Sequence, residues 1–204
     1  MEPGEQLSAL RKAILSVYPV EDLALNRLIN IFNYKLLKPD EYFAKGGEYS
    51  SHFAFAQKGI LKSYYLDQKG NQLVKGIFVD HMFVLPLPSF LYRKPSYLNF
   101  QAIIQTELLQ ADYIRLESLV QHHPSVRKFV NKLIENEWII SRELHEAGLH
   151  IYNSSTRFQI FTARYGLFLE LIAAEDIASF LGITVKQFNK FKVEYKTDGV
   201  SGNL

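Results

Sequence analysis

The chain has 204 residues, 23 Lys and Arg against 21 Asp and Glu, 48% hydrophobic residues and no cysteine. That length suits one large domain or two small ones with a packed core, and the lack of cysteine excludes disulfide scaffolds, thiolate zinc sites, iron–sulfur clusters and cysteine nucleophiles. A net charge of +2 is too small for wholesale polyanion binding, so any nucleic-acid surface has to be local.

Glu2, Glu5 and Arg11 open the chain without an apolar core ahead of a cleavage site, so the N-terminus does not read as a signal peptide. The apolar stretch Ile77 to Leu91 is broken by Asp80, His81, Pro86 and Pro88 and is too short and interrupted to cross a bilayer. The expectation is a cytoplasmic protein with no membrane partner. Leu7, Leu10, Ile14 and Leu15, then Leu23, Leu25, Leu28, Ile29 and Phe32, recur at three and four and predict two helices, roughly 5–17 and 21–31, parted by Pro19.

From Tyr34 to about Ile114 the period changes. Phe53 and Phe55 alternate with alanines, and Leu98, Phe100, Ala102 and Ile104 alternate with outward positions, which predicts strands with one buried face. Pro39-Asp40, Gly46-Gly47, Gly59 and the run Asp67 to Asn71 supply the turns between them. Several short strands at this spacing make an antiparallel sandwich or barrel.

Pro124 suits the first turn of a helix, where its missing N–H has no partner to lose. After it Val126, Phe129, Val130, Leu133, Ile140 and Leu144 form one helical stripe, and Ile134 with Trp138 a second. A helix ending near Gly148 would run ~36 Å at 1.5 Å per residue. That is longer than one small domain need cover, so a partner helix is expected, with a homodimer seam on Val126, Leu133, Ile140 and Leu144.

The run Ala174 to Phe191 meets the requirements of a helix-turn-helix. Ala178 is the small residue where two helices touch, Gly182 permits the turn, and Ile177, Leu181, Ile183, Phe188 and Phe191 supply the shared core. Thr184 stands where a hydroxyl caps the second helix. Lys186, Lys190, Lys192 and Lys196 against the single acid Glu194 make the following stretch locally +3, on the helix that would read DNA. An ordinary solvated helix face accounts for the lysines but not for the Ala/Gly/Thr spacing.

Other chemistry is absent from the pattern. None of His52, His81, His122, His123, His145 and His150 stands at metal-ligand spacing with a carboxylate, and no phosphate loop, nucleophile elbow or acid–base signature appears. The reading is therefore a protein that is not an enzyme and uses no cofactor or metal. The Tyr and Phe residues at alternating strand positions read as core.

An N-terminal helix pair, a glycine-punctuated β region, a long helix and a C-terminal helix-turn-helix, in that order, resemble the Crp/Fnr family of bacterial transcription regulators. Leu37 to Tyr42 followed by Gly46-Gly47-Glu48 is similar to that family's first β-roll turns, and Phe53 to Tyr65 to its strand-Gly-strand hairpin. Asp176 to Thr184 resembles the variety common in Bacteroidetes-like regulators. The resemblance implies an α+β fold: an antiparallel, jelly-roll-like β-roll with flanking helices that senses an effector (1–120), a long dimerisation helix (121–149) and a helix-turn-helix domain (150–204). It implies double-stranded DNA, a second copy of the chain and a small-molecule effector as partners, with RNA polymerase a further candidate.

By matching positions Val185, Lys186 and Lys190 would face base edges, with Thr184 and Asn189 on phosphates or neighbouring bases and Lys192 within the same basic footprint. Lysine is a point charge where the family's usual run carries arginine, so discrimination should be weaker or different. The tail after Lys192 lacks the apolar strands of a winged hairpin. In the matching region, Asp80 to Ala102, no Gly-Glu pair and no Arg stand where a cyclic nucleotide needs them, and Phe83 to Pro88 and Asn99 to Ala102 stand instead, so cyclic AMP is not the expected effector. Arg93 and Lys94 are the nearby cations and the candidates for an effector cavity, although loop cations beside Pro95 also read as solvated side chains. A second reading is a β-roll binding or interaction protein whose helix-turn-helix no longer reads DNA; a solvent-facing lysine surface favours the first reading and burial of that face the second.

Overall fold

The computed structural model describes residues 3–197, and their side chains apart from 3–6, 137, 138, 140 and 141. The apolar spacing near the N-terminus forms α1 (Pro3–Val17) and α2 (Asp22–Ile29). The alternating region forms β1 (Phe32–Leu37), β2 (Tyr42–Ala44), β3 (His52–Lys58), β4 (Leu61–Leu66), β5 (Gln72–Phe78), β6 (Phe83–Val84), the short α3 (Leu87–Tyr92), β7 (Asn99–Ala102) and β8 (Thr106–Asp112). Two antiparallel sheets result, ordered β1-β8-β3-β6 and β2-β7-β4-β5, with Phe55 opposite Leu109 and Phe83 in the first and Ser63 opposite Phe100 and Gly76 in the second. This is the expected α+β fold with its β-roll.

The turns form where the sequence marks them. Gly59, at φ +123°, links β3 to β4, and a Cβ there would fall 2.6 Å from the Cα of Thr106, so only glycine fits. Between β4 and β5 an Asp67 oxygen accepts the N–H groups of Lys69 and Asn71 at 2.8 Å each. Hydrogen bonds from the Asn71 side chain and backbone hold this carboxyl below its usual range. The expectation of one buried face fails for β3, where Phe53, Ala54, Phe55 and Ala56 are all buried. This strand is interior to its sheet and α1 packs against it, so the alanines are covered as well as the phenyl rings.

After α4 (Tyr113–His122), a continuous helical segment runs from 124 to 151 as α5 (Pro124–Leu133), a π-helical stretch (Ile134–Ile140) and α6 (Ser141–Ile151). The wider π turns rotate the residues that follow relative to those before. The single stripe read from the sequence is therefore split. Val126 and Leu133, 0% and 1% exposed, are sealed inside the chain's own core and cannot form a seam with another copy, whereas Leu144 is 68% exposed. The Ile140 side chain lies outside the described residues, as does that of Trp138.

The C-terminal helices are α7 (Ser154–Tyr165), a 3-10 turn (Gly166–Phe168), α8 (Ala174–Leu181) and α9 (Val185–Thr197). They do not build a core of their own. Phe158, Phe161, Ile177, Leu181 and Phe188 join Ile60, Tyr64, Val74, Ile77 and Val79 of the roll in one apolar cluster, separate from the cluster between the sheets and α1, α2, α4 and α5.

Candidate nucleic-acid interface

α8 ends at Gly182, left-handed at φ +61°, where the Ile183 N–H donates to the Ala178 carbonyl at 3.0 Å and satisfies an end-of-helix acceptor. Thr184 then opens α9 with a reciprocal cap. Its hydroxyl accepts the Gln187 N–H at 3.1 Å while its own N–H donates to Oε1 of Gln187 at 3.0 Å. Gln187 was not among the residues singled out from the sequence, although Thr-x-x-Gln at 184–187 is the signal that finds it.

Inward-facing Phe188 is 1% exposed, and Phe191 and Tyr195 pack beside it around the Phe158 ring, at centroid distances of 5.9, 5.7 and 6.1 Å. This spacing of three and four turns the other face outward. Thr184, Lys186, Asn189 and Lys190 are exposed together, with Val185 half-buried at the helix start. Lys190 is 72% exposed and among the described residues its ion pair is with Glu194, 3.8 Å away; Lys186 has no ion pair among them.

Lys192 is placed differently. It is only 24% exposed, its ammonium sits 2.8 Å from Glu170 and 5.8 Å from the Phe188 ring centre, and Lys196 reaches the same carboxylate at 2.8 Å. Hydrogen bonds from both lysines hold the Glu170 carboxyl below its usual range. Two of the four lysines thus share a counter-ion from outside the stretch whose charge the sequence totals, and the basic surface that Glu170 leaves unheld narrows to Lys186 and Lys190.

The other helix of the pair, α8, lies on the free edge of β5. The Val74 N–H donates to the Ser179 hydroxyl at 2.9 Å, and that hydroxyl donates to the Gln72 carbonyl at 3.1 Å, covering an edge that would otherwise be open. Lys62 of β4 binds both oxygens of Asp176 at 2.8 and 2.9 Å, each side chain only 12% exposed. Nothing local in the sequence marks these contacts.

Arg93 and Lys94 line neither the cavity beside Tyr65, Leu98 and Phe100 nor the one beside Phe161 and Phe180. Arg93 is left-handed at the end of α3 and donates to the Tyr49 hydroxyl at 3.2 Å and to Glu117 at 2.6 Å, on the surface, and Lys94 is exposed. The cation that reaches the roll's own cavity, a space of about 180 Å³ beside Tyr65, Leu98 and Phe100, is Arg142 of α6. Among the described residues no group of three His, Asp or Glu is placed to hold a metal, and no helix is long and apolar enough to cross a membrane.

No protein-family model and no curated sequence matches the chain. Solved structures do. FixK2 from Bradyrhizobium japonicum superposes with a TM-score of 0.71 at 17% identity over 85% of this chain and 90% of its own. A putative regulator of the Crp/Fnr family from Eubacterium rectale gives 0.66 at 12% identity over 93% and 91%. The fold is that of the Crp/Fnr regulators. The c-di-GMP-responsive global regulator CLP of Xanthomonas campestris matches at 0.64 and 13% identity, over 90% of this chain and 96% of its own. Each of these three likenesses covers 85% or more of this chain.

Proposed function

We propose that this chain is a dimeric transcription regulator of the Crp/Fnr type, acting in the cytoplasm. In this reading α9 enters the major groove, 1–120 senses an effector, 121–149 carries the dimer seam and 150–204 binds DNA. The observation that carries the proposal is the two-faced α9: Phe188 and Phe191 anchor it, Glu170 holds Lys192 and Lys196 to one side, and Thr184, Lys186, Asn189 and Lys190 are left facing solvent. The run Asp176 to Thr184 supports assigning the chain to the Bacteroidetes-like variety. The lack of a Gly-Glu pair between Asp80 and Ala102, with Arg93 of that stretch bonded to Tyr49 and Glu117 on the surface, supports an effector other than cyclic AMP. The seam falls to the far half of the long helix, where Leu144 is 68% exposed, and continues just past 149 to Ile151, 73% exposed.

Selection of a duplex with purified protein, followed by binding at several salt concentrations, tests this. Lys186→Ala or Lys190→Ala should cost about 1–3 kcal/mol on the selected duplex and relax discrimination there. Lys192→Ala should change affinity little, because its charge is already neutralised by Glu170. Absence of any salt-dependent affinity for duplex DNA, with cell extract added to supply an effector, refutes the reading in favour of a roll with a degenerate helix-turn-helix.

A further inference from the structure

A second cavity, about 380 Å³, is not inside the roll but at the joint between the roll, the long helix and the head formed by the C-terminal helices α7, α8 and α9. β5 contributes Ile77 and Phe78, the start of β6 Phe83, α6 His145 and Leu149, α7 Ile160 and Phe161, and α8 Phe180 and Leu181. Most of this wall is apolar or aromatic. Its charged members among the described residues share one sign: Lys75, Arg142, Arg157 and Arg164 line it and no described carboxylate does.

The cations differ in how far they are committed. Arg157 is a strut, its Nη1 donating to the carbonyls of Leu149 and Tyr152 at 2.8 and 2.9 Å and its Nη2 to that of Gly182 at 3.2 Å. It ties the end of α6 to the turn of the helix-turn-helix, and its Nε is buried without a protein acceptor. Lys75 binds Glu146, which lies outside the wall. Arg164 makes no ion pair among the described residues and stands 5.4 Å from the Tyr165 ring centre. Burial pulls the Arg142 guanidinium below its ordinary value. His145, stacked on Phe180 at 4.3 Å, is also pulled down, first by burial and then by Lys75 and Arg142, against the opposing pull of Glu146.

An apolar chamber of small-molecule size, with cations and no anion in its wall, is complementary to one kind of occupant. We propose that the joint cavity binds a small amphipathic anion, an aromatic or aliphatic body carrying one acidic group. The body is taken up among Phe83, Phe161 and Phe180, and the acid is held on the side of Arg142 and Arg164. An occupant touches roll, long helix and head together, so it stabilises this docked arrangement by mass action. Its role as an effector of α9 rests on the regulator reading; its binding does not.

The test uses the full chain without DNA and two fluorescent probes that differ in one group, 8-anilinonaphthalene-1-sulfonate and the uncharged N-phenyl-1-naphthylamine. The sulfonate should saturate at one per chain and bind about tenfold more tightly than the neutral probe, the worth of a charge-assisted contact. Arg142→Gln and Arg164→Gln should each reduce that preference without weakening the neutral probe. Arg142 also borders the roll's cavity, so a third variant fixes the location: Ile160→Trp alters a half-exposed side chain the core does not need and should abolish binding of both probes. Equal affinity for the two probes, or sulfonate binding indifferent to Ile160→Trp, overturns the proposal. A protein that takes the probe yet ignores duplex DNA loses the regulator reading and keeps the site; one that binds duplex and not the probe does the reverse.

Discussion

Removing one partner of the Lys62–Asp176 pair should loosen the head from the roll by an amount that follows from its geometry. Two contacts of 2.8 and 2.9 Å join side chains that are each 12% exposed, and the ammonium also lies 5.3 Å from the Tyr64 ring centre. An exposed pair contributes about 0–1 kcal/mol, whereas breaking a fully buried one costs about 3–5 kcal/mol because the orphaned charge stays desolvated. Scaling for the residual exposure gives about 2–4 kcal/mol for Lys62→Met or Asp176→Leu, a fall in Tm of roughly 5–15 °C for a chain of this size. Asp176→Leu also removes an acid from the first turn of α8, which adds about 0.5 kcal/mol. The double variant replaces two charges by an apolar pair in an apolar surround and should recover to within about 1 kcal/mol of the parent. Urea unfolding measures all three. Hydrogen exchange at the Val74 N–H, bonded to Ser179 on the same helix, reports undocking directly. Single losses below about 0.5 kcal/mol, or a double variant equal to the sum of the singles, would refute the view that this pair is a buried latch.

The depressed His145 gives a pH dependence with a definite sign. As pH falls through its ordinary value of 6.5 the unfolded chain takes up the proton first, so the stability held by the neutral ring is complete above that value and is lost on the way down to the lower folded value. His145→Phe keeps a ring on Phe180 and should flatten the change in Tm between about pH 7.5 and 5.5; an unchanged slope assigns it to another group. For the dimer, Leu144→Asp combined with Ile151→Asp should give monomers by light scattering, since both side chains are exposed in the single chain and their loss leaves its core intact. A dimer mass in that variant would move the seam elsewhere.

Much of this molecule was legible because its signals are local. Gly182 at φ +61° and Thr184 at the helix start are demanded by the turn between them, and Phe188 and Phe191 follow from helical spacing. Gly59 and the Asp67 turn are fixed by backbone angles and neighbours a few residues away. The sandwich of antiparallel strands follows from period two and regular turns. Val126 and Leu133 misled because heptad spacing identifies an apolar face but not what covers it, and α1, α2 and α4 of the same chain pack on α5 before a second copy can.

What a sequence determines by itself is whatever depends on period, backbone angle and near neighbours: here the order of elements, the helix-turn-helix and the lysine-bearing face of α9. Only the tertiary structure decided which of those lysines are held by a distant carboxylate, because Glu170 comes from a separate segment that folds back against α9. It alone paired Lys62 with Asp176, 114 residues apart, set Ser179 on the edge of β5, and gathered Arg142, His145, Arg157 and Arg164 around one chamber. Such pairings carry no local signature. They arise when a sheet edge and a helix face, each with surface left to bury, are brought together by the packing of the chain between them.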